Sequence, residues 1–407
     1  MSNQAIESPT KKIWKRLKKN KPAIFSLCVI IIALFLAIFA PVIAQDKTPD
    51  ADDQVLELTN LSPNTKVKML LVRKNRLENP SSFLKTVFIG KDNPYQMIPI
   101  SNYEMNDTSI VVQTYAGEDR PVETKAFSLA QVVYAVSNEK PNIQYQDKKG
   151  LFYDINNQFE KKDISYIKAD IEKYNIVTKR YLLGTDGYGR DILSRLLLGV
   201  RVSLTVGFIA VLISLSIGIF MGAIAGYFRG WVDNVVMWLI NVIWSIPTIL
   251  LAMTIRFAIG DKINSFLAIF IAVGLSMWVD TARVVRGQVL GVREMEYIQA
   301  ARSLGYNHFR TIFKHILPNI IGPILVIAAA DFASAILIEA GLSFVGIGVK
   351  PPTPSWGTML NDHLAYLTTN KAFLALAPGF CIMILVLAFN LLGNGLRDAF
   401  DVKGQAV

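Results

Sequence analysis

Two cysteines and three histidines in 407 residues leave little material for a covalent or metallic framework. Cys28 and Cys381 each fall inside a long apolar run, so no disulfide scaffold is indicated. His308, His315 and His363 share no metal-ligand spacing with cysteines or carboxylates, and each is expected at a surface or membrane interface. Charge is sparse as well. At 18% charged and 52% hydrophobic residues, with a mean hydropathy of +0.36, the composition describes a polytopic membrane protein with one sizeable polar region. No Gly-x-x-x-x-Gly-Lys-Ser/Thr loop occurs, so the chain has no Walker-type site for ATP; the glycine-rich GTDGYGRD at 184–191 lacks that spacing. Internal and inverted repeats are also lacking, which counts against the usual build of secondary transporters.

What is present is a series of apolar runs of about 20 residues, the length a spanning helix needs: Ala23–Ala44, Val202–Phe228, Val235–Ile255, Ile263–Val279, Pro318–Ile338 and Ala372–Leu396. The fourth ends at Asp280 and the fifth is interrupted by Asp331. The first run follows Lys11, Lys12, Lys15, Arg16, Lys18, Lys19 and Lys21. Its core is too long for a signal peptide and no Ala-x-Ala triplet closes it. By the positive-inside rule the basic tail, 1–22, lies in the cytoplasm, and six spans bring the carboxyl-terminal tail, 402–407, to the same side. Arg283, Arg286, Arg293, Arg302, Arg310 and Lys314 add the cytoplasmic excess expected between the fourth and fifth spans. The net charge of +10 is thereby assigned to topology and anionic lipid, with no nucleic acid among the expected partners. Trp231, Trp238, Trp244 and Trp278 read as membrane anchors.

Residues 45–180 form the polar region. Alternating stretches such as KVKMLLV and AQVVYAV, separated by turn residues, predict a small mixed α/β domain inserted on the outer side after the first span, 23–44. It is large enough for its own core. A brace over the outer mouth and a docking surface for a solute-binding protein are equally compatible with it.

Between the fourth and fifth runs stands EMEYIQAARSLGYNHFRTIFKHILP, Glu294 to Pro318. At helical spacing Tyr297, Ala300, Ala301 and Leu304 share a face, Gly305 breaks the helix, and Phe309, Ile312, Phe313, Ile316 and Leu317 form a second apolar stripe that ends at Pro318. The pattern predicts a helix–turn–helix along the membrane surface, offered to a soluble partner. A partnerless interfacial helix is the plainer alternative.

QAARSLG followed by HILPN resembles the EAA loop of ABC-importer permeases. LLGTDGYGRDILSRLLLGVRVSL (182–204), AGYFRGWVDNVVMWLINVIWSIPTILLA, EAGLSFVGIGVKPPTPSWGTML and LLGNGLRDAFD are similar to the C-type permeases of oligopeptide and dipeptide importers. The resemblance covers the first span loosely and nearly all of Leu182–Asp401, leaving the insert outside it. It implies an all-α polytopic fold of about six helices in the type I importer arrangement, with a permease domain over 181–401 and a cytoplasmic coupling loop over 283–317. It further implies no directly bound cofactor, with ATP and magnesium on partner subunits, and a complex with a second permease, two ATPases and an extracytoplasmic binding protein in a bacterial cytoplasmic membrane. The ATPase-coupling residues implied are Glu294, Glu296, Tyr297, Gln299, Ala300, Ala301, Gly305, Leu317 and Pro318. Gln299 departs from the glutamate usual there.

Asp331, within the fifth run, and Glu339, expected at the outer interface, are translocation-path candidates, because intramembrane ionisable groups are costly unless used. With Asp280 and Arg256 they also support the competing reading of a proton- or ion-coupled transporter. A receptor whose outer domain does the work is a third class, disfavoured by the detail of the membrane half. Near the second span, Gly184, Gly187 and Gly189 predict a tight turn, with Arg190 pairing locally to Asp186 and Asp191.

Overall fold

The computed structural model describes residues 9–77, 82–115, 121–260 and 263–401. It divides into two units, one formed by the residues up to Ala37 and from Gly199 onward, the other by Ile38–Leu198. Helix α1 (Pro9–Lys19) turns Ile13 and Leu17 inward onto Leu396 and Ala399, and leaves its lysines outside. Asn20 separates it from α2 (Lys21–Ile43) and caps the new helix by accepting from the Ala23 amide at 3.1 Å. Pro41 lies inside α2 and cannot donate to the carbonyl of Ala37, four residues back. Arg201 Nε donates to that carbonyl instead, at 3.0 Å, so the helix continues past the proline.

The second unit is the α/β region. It contains β1 (Thr65–Arg73), α3 (Phe83–Ile89), β2 (Tyr95–Met105), β3 (Ser109–Thr114), β4 (Thr124–Ser128), α4 (Leu129–Val133), β5 (Gln144–Gln146), β6 (Lys149–Tyr153), β7 (Phe159–Asp163), α5 (Ile164–Asp170) and β8 (Ile176–Tyr181). Antiparallel pairing orders five strands as β4-β3-β2-β1-β8 and three as β5-β6-β7. Leu70, Val72, Ile98, Ile100, Ile110 and Val112 bury one face of the larger sheet under Leu129, Val132, Ile167 and Ile171. KVKMLLV forms β1, as its alternation predicts. AQVVYAV does not form a strand: Leu129 and Val132, three residues apart, are buried in one core while Ala130 is buried with Val136 and Phe152, so α4 occupies its first half. Asn175 closes the unit from within, donating to the carbonyls of Leu71 at 2.7 Å and Val132 at 3.0 Å.

The 184–191 turn has Gly184 and Gly189 at φ +77° and +72°, while Gly187 is not in that region. Arg190 pairs with Asp186 at 2.7 Å and with Asp52 at 2.9 Å. Asp191 does not join this pair, contrary to expectation. It takes the amide and hydroxyl of Ser194, at 2.9 and 2.5 Å, three residues on, where it starts the next helix.

That helix, α6 (Ile192–Phe228), is followed by α7 (Gly230–Trp244), α8 (Thr248–Ile259), α9 (Ser265–Arg293), α10 (Glu296–Ser303), α11 (His308–Thr311), α12 (Ile321–Phe344), α13 (Trp356–Asp362) and α14 (Phe373–Phe400). Among the described residues five helices are long and apolar enough to cross a membrane, or six if α7 and α8 count as one span. This is the all-α polytopic fold with a small α/β region that the sequence implies. The run Val235–Ile255 is not one helix, however. It bends by 93° between α7 and α8, where Pro247 lacks an amide and forces extended backbone. Nor does the fourth span stop at Asp280, since α9 runs on to Arg293.

Glycines set the spacing of the bundle around the site. Gly218, Gly222 and Gly226 recur every four residues along α6, and a Cβ on any of them would strike α9 at Thr281, Ala282 O or Arg286 O. Small residues at this spacing let two helix backbones approach closely. Arg286 on α9 pairs with Asp233 on α7 through two bonds, at 2.5 and 2.6 Å.

Candidate functional site

Segment 294–320 is built by its own capping residues. The last turn of α10 closes in a Schellman pattern: the Gly305 amide donates to Arg302 O at 3.0 Å and the Tyr306 amide to Ala301 O at 3.2 Å. This pattern needs left-handed backbone at its penultimate residue, and Gly305 has φ +81°. Asn307 then starts α11 by accepting from the Arg310 amide at 2.8 Å. Pro318 lacks the amide that would bond to Lys314 O, and the chain goes through a π turn over Ile312–Ile316 and a 3-10 turn over Leu317–Ile320 into α12. The second helix of the expected helix–turn–helix is therefore one turn of α-helix that feeds directly into the next span.

Burial divides the segment into an anchored and an open side. Ile298, Ile312, Ile316 and Ile320 pack with Tyr227 and Ala223 of α6 and with Val285 and Val289 of α9, and Ala301 is buried too. Tyr297, Ala300 and Leu304, assigned to one face with Ala301, are exposed, and Leu304 reaches 76%. The anchoring face of α10 is thus the one carrying Ile298 and Ala301, a residue the helical reading passed over beside one it included. Phe309 and Phe313 are likewise open. With Phe220, Phe228, His308 and Leu317 they line an apolar groove of about 330 Å³.

Tyr227 connects the pieces. It is buried at the end of α6, and its hydroxyl lies 3.0 Å from His308 Nδ1. Its carbonyl accepts from Arg293 Nη1 at 2.6 Å. The guanidinium groups of Arg293 and Arg302 stand 5.8 and 5.9 Å from its ring. One residue of α6 therefore meets the end of α9, α10 and α11. It lies in the AGYFRGWVDNVV block, next to the end of an apolar run, but nothing in the sequence gave it a role of its own.

Glu294 forms an ion pair with Arg229 at 2.7 Å. Gln299 donates to Glu294 O at 3.1 Å. Glu296 and Pro318 are exposed and Leu317 is half-buried.

Asp331 and Glu339 are not brought together: eight residues apart on α12, they are separated by about 12 Å of helix rise. Asp331 is buried, with Oδ2 accepting from Thr281 at 2.9 Å and Ser214 at 3.2 Å. It also lines a cavity of about 740 Å³. Glu339, placed at the outer interface by the sequence, is enclosed by protein. It is fully buried, accepts from Ser343 Oγ at 2.7 Å, and is faced by the Ser355 hydroxyl. His363 departs from its expected surface position in the same way: it is buried and its Nδ1 lies 2.6 Å from Met359 O. Arg256 is buried in α8 and reaches Gly260 O at 2.8 Å.

Residues 218–403 match the family described as "Binding-protein-dependent transport system inner membrane component", and residues 8–63 match the "N-terminal TM domain of oligopeptide transport permease C". The glutathione transport system permease protein GsiD of Pectobacterium atrosepticum is 40% identical over 54% of this chain and 72% of its own length. The dipeptide transport system permease protein DppC of Alkalihalophilus pseudofirmus is 42% identical over 54% and 71%. The oligopeptide transport system permease protein OppC of Bacillus subtilis is 39% identical over 56% and 73%. A solved chain of the MetNI methionine ABC transporter is 18% identical, with a TM-score of 0.43, over 52% of this chain and 98% of that one.

Proposed function

The chain belongs to the ABC-importer permeases of the oligopeptide and dipeptide type, and from that premise we propose that it imports oligopeptides or dipeptides and is driven through the open face of Glu294–Pro318. As a member of that family it is a multi-pass membrane subunit, and ATP hydrolysis belongs to separate subunits. Ion-coupled transport through Asp331 has no support among these relatives.

One observation carries the coupling role. Helix α10 is held from beneath by Ile298 and Ala301 while Tyr297, Ala300 and Leu304 project outward uncovered. A large apolar side chain kept open at the rim of a membrane domain suits a protein partner, and the small Ala300 beside it allows a close approach. The partner set proposed is two ATPases carrying ATP and magnesium, a second permease and an extracytoplasmic binding protein. Both termini and the 294–318 segment are assigned to the cytoplasm, on the basis of the basic residues around them. In this scheme closure of the ATPase pair moves α10 and α11. Gly305 keeps the angle between them, Glu294 with Gln299 holds the entry to α10, Glu296 adds acidic surface, and Leu317 with Pro318 passes the motion into α12. The peptide substrate is supported by the dipeptide, oligopeptide and glutathione systems named for the relatives.

The test is a mild-detergent pull-down of the tagged protein from its native membrane. ATPases and a second permease are expected to co-purify, and Leu304→Glu is expected to release the ATPases while keeping the second permease. Full retention of the ATPases with unchanged uptake in Leu304→Glu would remove α10 as the docking element.

A further inference from the structure

The cavity beside Asp331 has a charge pattern that neither coupling nor packing uses. Its polar wall comes from α9 (Asp280, Gln288), α12 (Asp331, Ser334) and the end of α14 (Arg397, with Asp401 just beyond the helix), and its volume of about 740 Å³ is within the range of small-ligand sites, roughly 300–1,000 Å³. Asp331 is 94% buried by its 6% exposure, and both hydroxyls that hold it, those of Thr281 and Ser214, act on Oδ2. Among the described residues no donor reaches Oδ1, the oxygen left for the cavity. Asp280, on α9, lines the same cavity.

Two carboxylates on the wall of one cavity repel each other unless a cation is shared between them. No lysine or arginine among the described residues bonds to either. Arg397 is the basic residue on the cavity wall. Gly393, one turn before it, packs at the level of Val326 and Ala329, and the contact of Gly322 with Phe400 places the end of α14 beside the start of α12. Asp331 lies a further turn or two along α12, so Arg397 marks the opposite end of the cavity.

We propose that this cavity holds a subsite for a primary ammonium group, the amino terminus of a short peptide, received by Asp331 Oδ1 and Asp280 and oriented by the Thr281 and Ser214 hydroxyls behind them. The subsite rests on the peptide-importer reading and adds to it the end of the substrate that is recognised within the membrane. A primary ammonium has three donors and one charge, which suits one open carboxylate oxygen and a second carboxylate nearby.

The test uses the assembled complex with Cys28→Ala, Cys381→Ala and Ser334→Cys, since Ser334 is an exposed residue of the cavity wall one turn from Asp331. The rates at which a methanethiosulfonate bearing an ammonium and one bearing a sulfonate modify the new cysteine are compared, each relative to a free thiol. The ammonium reagent is expected to be favoured at least about tenfold, and Asp331→Asn with Asp280→Asn to bring the ratio near one. Ala-Ala is expected to slow the modification, and N-acetyl-Ala-Ala to leave it unchanged. Equal rates in the parent complex, a preference that survives both substitutions, or equal protection by the two peptides would overturn the proposal. So would loss of the second permease from Asp331→Asn complexes, because the carboxylate would then serve assembly. Failure of the importer reading would appear separately, as a complex without ATPases whatever the reagent ratio.

Discussion

Gly305 combines a left-handed backbone, φ +81°, with open space: a Cβ there would meet nothing within 4 Å. A side chain would therefore block nothing, and the cost of substitution lies in the backbone alone, about 1–2 kcal/mol for an ordinary L-residue. Asparagine tolerates this region better, and β-branched residues worst. Uptake at matched expression is expected to fall several-fold in Gly305→Val, less in Gly305→Ala, and little in Gly305→Asn, with ATP hydrolysis falling less than uptake. Normal uptake by the valine variant would show that the bend is not the coupling hinge. Gly305 and Pro318 were legible in the sequence because each acts on its own backbone; the capping role of Asn307 was not read from it. Ile298 was not, because an eight-residue helix with Tyr297, Ala300 and Leu304 on one side and Ile298 and Ala301 on another has two plausible apolar faces. Only the neighbours, Val285, Val289 and Tyr227, decide between them.

Among the elements, the join of α6, α9, α10 and α11 at Tyr227 makes the coupling segment answer to the membrane helices. Tyr227→Phe deletes the hydroxyl bond to His308 and keeps the ring between Arg293 and Arg302. A net loss of about 1 kcal/mol is expected, hence roughly fivefold faster hydrogen exchange at the amides of 306–312. Tyr227→Leu removes the ring contacts as well and should add lower uptake for each ATP hydrolysed. Unchanged exchange in both variants would mean that α11 is held by Ile312 and Ile316 alone. Element boundaries were less legible than element existence. Hydropathy sees α7 and α8 as one run because composition does not change at the 93° bend, while Pro247, the residue that makes it, was visible. It also ended the fourth span at Asp280, because a charge interrupts an apolar run without interrupting a helix.

At the scale of the whole chain, composition separated a polar insert from the apolar helices, and the structure contains an α/β unit there with its own core. The polar chemistry inside that unit was not legible, because it joins residues far apart in sequence. Burial and the nearby Asp46 carboxylate push Asp53 above the ordinary carboxylate value of 3.8. Burial pushes Asp191 up as well, in spite of the two bonds from Ser194. Lys168 holds Asp107 below 3.8. A carboxyl raised in the fold binds protons more readily folded than unfolded, so its cost is complete above the folded value and is relieved as the pH falls toward 3.8. A lowered carboxyl does the reverse: the stability from Asp107 is present above 3.8 and is lost as the pH falls below it. Burial also pushes Lys179 down from 10.5, a cost that is relieved only on the alkaline side and so is constant across this acid window. The melting temperature of residues 38–198, followed by limited proteolysis of the full-length protein, is therefore expected to rise from neutral pH toward about pH 4 and to fall below it. Asp53→Asn with Asp191→Asn should raise the neutral value and flatten the acid-side rise, while Asp107→Asn should leave the rise and weaken the fall. A melting temperature that declines steadily from neutral pH in the parent protein would mean that Asp53 and Asp191 are not strained by burial.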